Sequence, residues 1–273
     1  MINIAQVNPV AFNLFGLEVK WYGVIIVTGI VLAVWLATRE ATRVGLREDD
    51  IVDFMFWGLP FSILGARLYY VIFEWRYYID NPLEIFAIRN GGLAIYGGLI
   101  AGGLVIYFFT QSRYISFWKF LDIAAPGVII AQAIGRWGNF MNQEAYGGVT
   151  TLAHLQNLKL PNFIIENMLI DGAYRQPTFL YESLWNVIGF LLLLWLRQKK
   201  DFLKEGEVFF SYVLWYSFGR FFIEGMRTDS LWIFGIFRVS QLLSVLLFLG
   251  SIGFMIYRRK KVQPKFYNRE GAK

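Results

Sequence analysis

The chain has 273 residues, 56% of them hydrophobic and 19% aromatic, with a mean hydropathy of +0.46 and a formal net charge of +6. Soluble domains hold about 45–50% apolar residues, and several runs here approach the ~20 apolar residues that cross a bilayer, so a soluble enzyme is excluded. A membrane β-barrel would alternate in ~10-residue segments instead of running continuously apolar. Cysteine is absent and histidine occurs once, at His154. That composition excludes disulfides, an enzyme-borne thiol nucleophile and a multi-histidine metal site; no metal or cofactor is expected. Basic residues at the ends of apolar spans are topology signals, so the positive charge does not point to nucleic acid.

The apolar runs predict an all-α polytopic membrane protein with about seven spans, near 22–38, 51–73, 93–110, 120–140, 177–196, 207–225 and 239–257. No cleavable leader is read at the N-terminus, because the first apolar run lacks a basic flank and leads into a full span. Basic residues alternate between the connections. Arg39, Arg43 and Arg47 follow the first span, Arg113 and Lys119 the third, and Arg197, Lys199, Lys200 and Lys204 the fifth. A further run from Arg258 to Lys273 follows the seventh. The opposite side carries only Lys20, Arg76, Arg89, Lys159, Arg175, Arg227 and Arg238. The positive-inside rule then places the N-terminus outside and the C-terminus in the cytoplasm.

In that orientation the segment of about 141–176 is an extracytoplasmic cap, too long for a tight turn. The basic tail, 258–273, reads as a disordered cytoplasmic segment resting on anionic headgroups. The whole chain, 1–273, is expected to form one integral membrane domain. Internal repeats are not evident, which argues against a transporter built from inverted halves.

Two arginines interrupt the apolar pattern, Arg136 in the fourth span and Arg220 in the sixth. A charged side chain at mid-membrane costs ~2.5–3.5 kcal/mol on insertion scales, so it marks function by default. Arginine keeps its proton, and its planar fork suits phosphate. The expected ligand carries a phosphate and is held within the bilayer. Other polar groups converge on the same, outer half: Tyr22, Tyr96, Asn139, Tyr181, Glu182, Tyr216, Glu224 and Gln241. A channel would line the full thickness and a transporter would bind near the midplane. Convergence near one leaflet suits capture of a lipid headgroup. Tyrosines at span ends also serve as interface anchors, and Arg220 with Glu224 has the spacing of a purely structural i,i+4 ion pair. Arg67 reads as a span anchor. Gly98 and Gly102 form a GxxxG pair suited to close helix packing.

The stretch from Gly135 to Gly147, GRWGNFMNQEAYG, resembles the signature G-R-x-G-N-F-x-N-x-E-x-x-G of bacterial prolipoprotein diacylglyceryl transferases at every fixed position. Further blocks are similar to that family in its order: Trp21-Tyr22-Gly23; Gly91 through Gly98; Arg175 to Thr178 with Tyr181-Glu182; Gly219-Arg220-Phe221 with Glu224 and Arg227; and Ser240-Gln241. The resemblance covers nearly the whole chain. It implies transfer of diacylglyceryl from phosphatidylglycerol to the lipobox cysteine of a preprolipoprotein signal peptide, with glycerol 1-phosphate released. Many relatives carry histidine where this chain has Tyr96, so the base that takes the thiol proton differs or is dispensable here.

On that reading Arg136 grips the lipid phosphate and Arg220 stabilises the departing one. Free cysteine titrates near ~8.5 and nearby cations lower it, a task open to Arg220 or Arg227. Phenols titrate near ~10, so Tyr96 is expected to hydrogen-bond rather than abstract a proton. Tyr22 joins the catalytic set. Asn139, Asn142 and Glu144 shape the headgroup pocket and Gly147 gives backbone room. Tyr216 sits beside Arg220, and Glu224 orients Arg220 or Arg227. Two other classes compete: a lipid-binding or transport protein without chemistry, and a headgroup transferase acting through its own carboxylate.

Overall fold

The computed structural model describes residues 8–88, 91–233 and 235–268. Arg89, Arg269 and Lys273, which enter the charge comparison above, lie outside them. The chain opens with a hairpin, β1 (Val10–Leu14) and β2 (Leu17–Lys20), which runs directly into α1 (Trp21–Arg43). Then follow α2 (Glu48–Phe73), a short α3 (Trp75–Asp80), a 3-10 turn over Pro82–Phe86, α4 (Ile95–Ser112) and α5 (Phe117–Met141). The segment after α5 folds as α6 (Leu152–Asn157), α7 (Asn162–Asn167) and a two-residue hairpin, β3 (Leu169–Ile170) with β4 (Ala173–Tyr174). The chain ends with α8 (Thr178–Gln198), α9 (Glu207–Met226), a small hairpin of β5 (Trp232–Ile233) and β6 (Phe237–Arg238), and α10 (Val239–Tyr257).

All seven expected spans are helices within a few residues of the positions read from the sequence. Six of the described helices are long and apolar enough to cross a membrane. The exception is α9, which has the length, 20 residues, but carries Tyr212, Tyr216, Arg220 and Glu224 at four-residue spacing. A single stripe of polar groups on one face lowers its hydropathy while leaving the other faces apolar.

Packing divides the chain into two compact units, residues 1–36 with 122–273, and residues 37–121. Within the second unit, α2 and α4 cross at near-backbone distance. A Cβ at Gly97 would strike the Gly65 carbonyl and Tyr69, and one at Gly65 would strike Ala101. Small residues replace side chains at the contact, as membrane helices require when lipid removes any hydrophobic drive to associate. At one end of this unit Arg43 forks onto the buried Glu40, Arg113 reaches Asp53 at 2.6 Å, and Lys119 donates to the Val44 carbonyl at 2.7 Å. These are the basic residues that the topology rule assigned to a single side.

In the first unit, α1 meets α5 where Gly127 lies under Ala33 and Gly29 under Ala131. α8 and α9 are joined by stacked Trp185 and Trp215, with ring centroids 4.2 Å apart. Each indole N–H donates to the other residue's carbonyl, at 3.0 and 2.9 Å. The rings fit because Gly219 lies under Trp185 and Gly189 under Trp215. The segment between α5 and α8 has its own core of Phe140, Leu155, Ile164, Ile165, Met168, Ile170 and Phe179. The tail departs from the disordered segment expected. Residues 258–262 continue α10 as a π-helical turn, Tyr267 is buried, and 265–268 pair with the α8–α9 connection through Glu205 N–H to Lys265 O (2.9 Å) and Tyr267 N–H to Leu203 O (2.8 Å). Backbone pairing and one buried aromatic outweigh the self-repulsion of the basic run.

The indole seat sets a stability test. Gly219→Leu forces a side chain into the Trp185 ring and is expected to cost about 1–3 kcal/mol through overpacking. Gly103, where a Cβ meets nothing within 4 Å, is the neutral control as Gly103→Ala. Thermal unfolding of both variants in detergent checks the difference.

Candidate active site

Local chain geometry builds the site from the end of α5. The helix stops at Met141, and Gln143 and Ala145 adopt left-handed φ of 50° and 57°. That turn folds the chain back so that Glu144 N–H donates to the Asn139 carbonyl at 3.0 Å. It delivers the Glu144 carboxylate onto Asn139, whose amide donates to it at 2.8 Å, with the Asn142 amide at the margin of bonding, 3.5 Å. Asn139 in turn accepts from Arg136 at 3.2 Å. The signature residues are thus one connected chain, Arg136 to Asn139 to Glu144.

The second line of the site crosses helices. Glu182, one turn into α8 and almost fully buried, lies between both arginines. Its Oε1 is 2.7 Å from Arg136 and its Oε2 is 3.3 Å from Arg220. The Oε1 approach is an ion-pair contact without hydrogen-bond alignment. Arg220 also pairs with Glu224 one turn further along α9, and Arg238, at the foot of α10, donates to the Glu224 carbonyl. Tyr216 is within hydrogen-bonding reach of Arg136 and close to Glu182 and Arg220. One turn deeper, Gln132 donates to the Tyr212 hydroxyl at 3.0 Å. Two guanidiniums and two carboxylates therefore alternate, so each buried charge has a partner, the condition under which ions survive in a low-dielectric interior. A guanidinium has five N–H donors, and these contacts leave several on Arg136 and Arg220 for a further anion.

The remaining expected residues fall around this centre. Tyr22 lays its ring on Gly138, where a Cβ would come within 2.8 Å of it. The signature glycine exists to accept that ring. Gly147 pairs with Arg227 as an isolated antiparallel bridge, and its N–H donates to the Gln176 carbonyl at 3.0 Å. The space beside Gly147 is filled by Gln176 and Thr178. Arg227 places its fork on Asp229, at 2.9 and 2.7 Å, while Glu224 serves Arg220. Tyr96 belongs to the second unit, in the first turn of α4, and is 38% exposed.

Two residues with prominent contacts had no role assigned from the sequence. In the sequence Glu182 reads only as one of the polar groups of the outer half. A carboxylate inside an apolar helix is as costly as an arginine there, which signals that it needs a partner, and the fold supplies two. Arg238 had only its position at a span end, and nothing in the sequence pointed to a carbonyl partner. Among the described residues no group of three His, Cys, Asp or Glu could hold a metal ion.

Fold and site together define a polytopic membrane protein with a paired-arginine, anion-ready centre buried among its helices. The sequence model of the family described as prolipoprotein diacylglyceryl transferase matches residues 9–257. A phosphatidylglycerol–prolipoprotein diacylglyceryl transferase of Enterococcus faecalis is 66% identical over 99% of this chain and 97% of its own length. Proteins with the same description from Pediococcus pentosaceus and Listeria innocua are each 57% identical, over 97% of this chain and 95% and 94% of their own. The chain belongs to the prolipoprotein diacylglyceryl transferase family.

Two tests follow from the charge arrangement. Glu182→Gln leaves Arg136 and half of the Arg220 pairing uncompensated and is expected to destabilise by about 3–5 kcal/mol, as loss of one partner of a buried pair does; denaturation in detergent measures it. Asp229, outside the spans, is held below its ordinary pKa by the hydrogen bond from Arg227, against partial burial. A depressed carboxylate stabilises the fold fully above the unfolded value, about 3.9, and the contribution is lost as pH falls through the lower folded value. The stability gap between the parent and Asp229→Asn should be constant from about pH 5 to 8 and close in more acid solution.

Proposed function

We propose that this chain transfers the diacylglyceryl group of phosphatidylglycerol to the lipobox cysteine of preprolipoprotein signal peptides, with its site toward the outer leaflet, its N-terminus outside and its C-terminus in the cytoplasm. Family membership supports the transfer and its two substrates, and the relatives' descriptions name both. The observation that carries the site is Glu182 bridging Arg136 and Arg220. It holds two guanidiniums side by side in the interior of one helical unit, where a single phosphodiester can meet both. The whole chain acts as one catalytic domain in this reading.

The chemistry balances without a redox partner. The substrate thiolate attacks the glyceryl carbon that bears the phosphate ester. A carbon–sulfur bond forms and the carbon–oxygen bond breaks. The electron pair leaves on the phosphate oxygen as glycerol 1-phosphate, and the thiol proton passes to solvent or to that phosphate. Arg136, steadied by Asn139 and Tyr216, binds the phosphate. Arg220, set by Glu182 and Glu224, stabilises the charge that grows on the leaving group. Preorganised donors of this kind act most strongly where water is excluded. Asn139, Asn142 and Glu144 meet the glycerol headgroup. The cationic field of Arg220 and Arg227 favours thiolate over thiol. Tyr22 and Tyr96 complete the catalytic set, Tyr96 as a hydrogen-bonding group rather than a base, and Gly147 keeps the cap segment close to α9.

The test is transfer of labelled diacylglyceryl from phosphatidylglycerol to a lipobox peptide, with a Cys→Ser peptide as control. Arg136→Ala and Arg220→Ala should each lower the rate by about 100–1000-fold or more. Arg→Lys at either position should not restore it, because the planar fork is lost. Folded enzyme that binds lipid without cysteine-dependent transfer or glycerol phosphate release would overturn the proposal in favour of lipid binding or transport.

A further inference from the structure

Arg67 is a third arginine within a membrane-spanning helix, and it is 5% exposed. Its partners are unlike those of Arg136 and Arg220. Nε donates to the Ile85 carbonyl at 2.9 Å, one terminal nitrogen to the carbonyls of Gly91 and Gly92 at 2.8 and 2.9 Å, and the other to the Glu84 carbonyl. Four of its five N–H donors thus end on the backbone of one connection, the 3-10 turn and the chain from it to α4. The face of the guanidinium lies over the Tyr78 ring, 5.3 Å from its centroid. The neighbouring residue completes the attachment, since the Ala66 carbonyl accepts from Ala94 N–H at 3.0 Å, at the N-cap of α4.

The connection is shaped to receive this side chain. Gly91 and Gly92 take φ of 91° and 73°, which L side chains avoid. A Cβ at Gly92 would run into the Arg67 guanidinium and Tyr70. A buried guanidinium with no carboxylate partner among the described residues contributes little as a counter-ion. Its planar fork instead fixes several carbonyls at once, which an ammonium cannot do. Two residues beyond Ala94 is Tyr96.

We propose that Arg67 is a positioning residue for Tyr96: it clamps the glycine turn to α2 and so fixes the first turn of α4, from which the Tyr96 hydroxyl is presented. This rests on the proposed part of Tyr96 in the transfer reaction, and the experiment separates the two. Arg67→Lys keeps the charge and loses the fork. Gly92→Ala attacks the same clamp from the loop side, so the test survives if one variant folds poorly. Each is assayed for transfer in the parent and in a Tyr96→Phe background, and for amide hydrogen exchange at 84–88 and 91–96.

Each variant should raise exchange in those segments by about tenfold while α8 and α9 are unchanged. It should lower kcat by about 10–100-fold in the parent, the scale of a misplacement near 1 Å, and by less than about threefold in Tyr96→Phe, as residues acting through one another are non-additive. Unchanged exchange, or an equal loss of kcat in both backgrounds, would overturn the clamp. A Tyr96→Phe enzyme as fast as the parent would overturn the role of Tyr96 instead, whatever exchange at 84–96 shows.

Discussion

The buried carboxylate of Glu182 is the constraint on which the first unit depends. Arg136 and Arg220 come from different helices, and neither can lose its proton. Left alone, each would carry a full desolvation cost and they would repel. Glu182, on a third helix, gives one oxygen to each. It therefore couples the end of α5, the start of α8 and the second half of α9 at one level. The Trp185–Trp215 stack fixes the same α8–α9 pair one turn away, so electrostatics and aromatic packing specify one register. Removing apolar contacts elsewhere would weaken the bundle, whereas removing this carboxylate would leave two buried cations facing each other.

The same arrangement bears on the proposed binding of an anion. Glu182 and Glu224 neutralise Arg136 and Arg220 without using all their donors. In the proposed reaction a phosphodiester would add bonds to guanidiniums already oriented, so little reorganisation would be required at binding or at the reacting step. Asn139, Glu144 and Tyr216 contribute by holding Arg136 in place. The signature of this family can thus be understood as a turn device. The left-handed Gln143 and Ala145 return the chain so that Glu144 braces the helix that carries the arginine.

Much of this was legible in the sequence because the relevant signals are one-dimensional. Spans are runs of apolar residues, and a charge inside such a run stands out whatever its partner. The helices α1, α2, α4, α5, α8 and α10 and the presence of Arg136 and Arg220 within spans needed only that. α9 was legible despite its lower hydropathy because its polar residues recur every four positions, on one face. What escaped depended on partners distant in the chain. Glu182 reads as one more polar residue at a span end until two helices bring arginines to its two oxygens. The tail reads as a free basic segment because its stabilising contacts are backbone bonds to 201–205, which no side-chain pattern announces. The Gly91-Gly92 pair reads only as part of a family-like glycine block, and its left-handed φ values and the Arg67 carbonyl clamp show that it is a fixed turn.

Arg67 and the Arg136–Glu182–Arg220 group illustrate two solutions to one problem. Any arginine within a bilayer must satisfy its five donors without water. In the first unit carboxylates meet part of that demand, and the donors left over are those assigned to a ligand in the proposed reaction. In the second unit backbone carbonyls do so, and these cannot be exchanged without unravelling the connection they belong to. Carboxylate-bound arginines are therefore suited to chemistry, and a carbonyl-bound arginine to architecture. Arg67 reads from the sequence as a span anchor, and its partners are backbone carbonyls rather than an exchangeable anion. In the proposal above, its bearing on function lies in what it holds: a turn that ends two residues before Tyr96. In that proposal Tyr96 acts by hydrogen bonding, and a hydrogen bond weakens steeply with misalignment, so a rigid support beneath α4 bears directly on it.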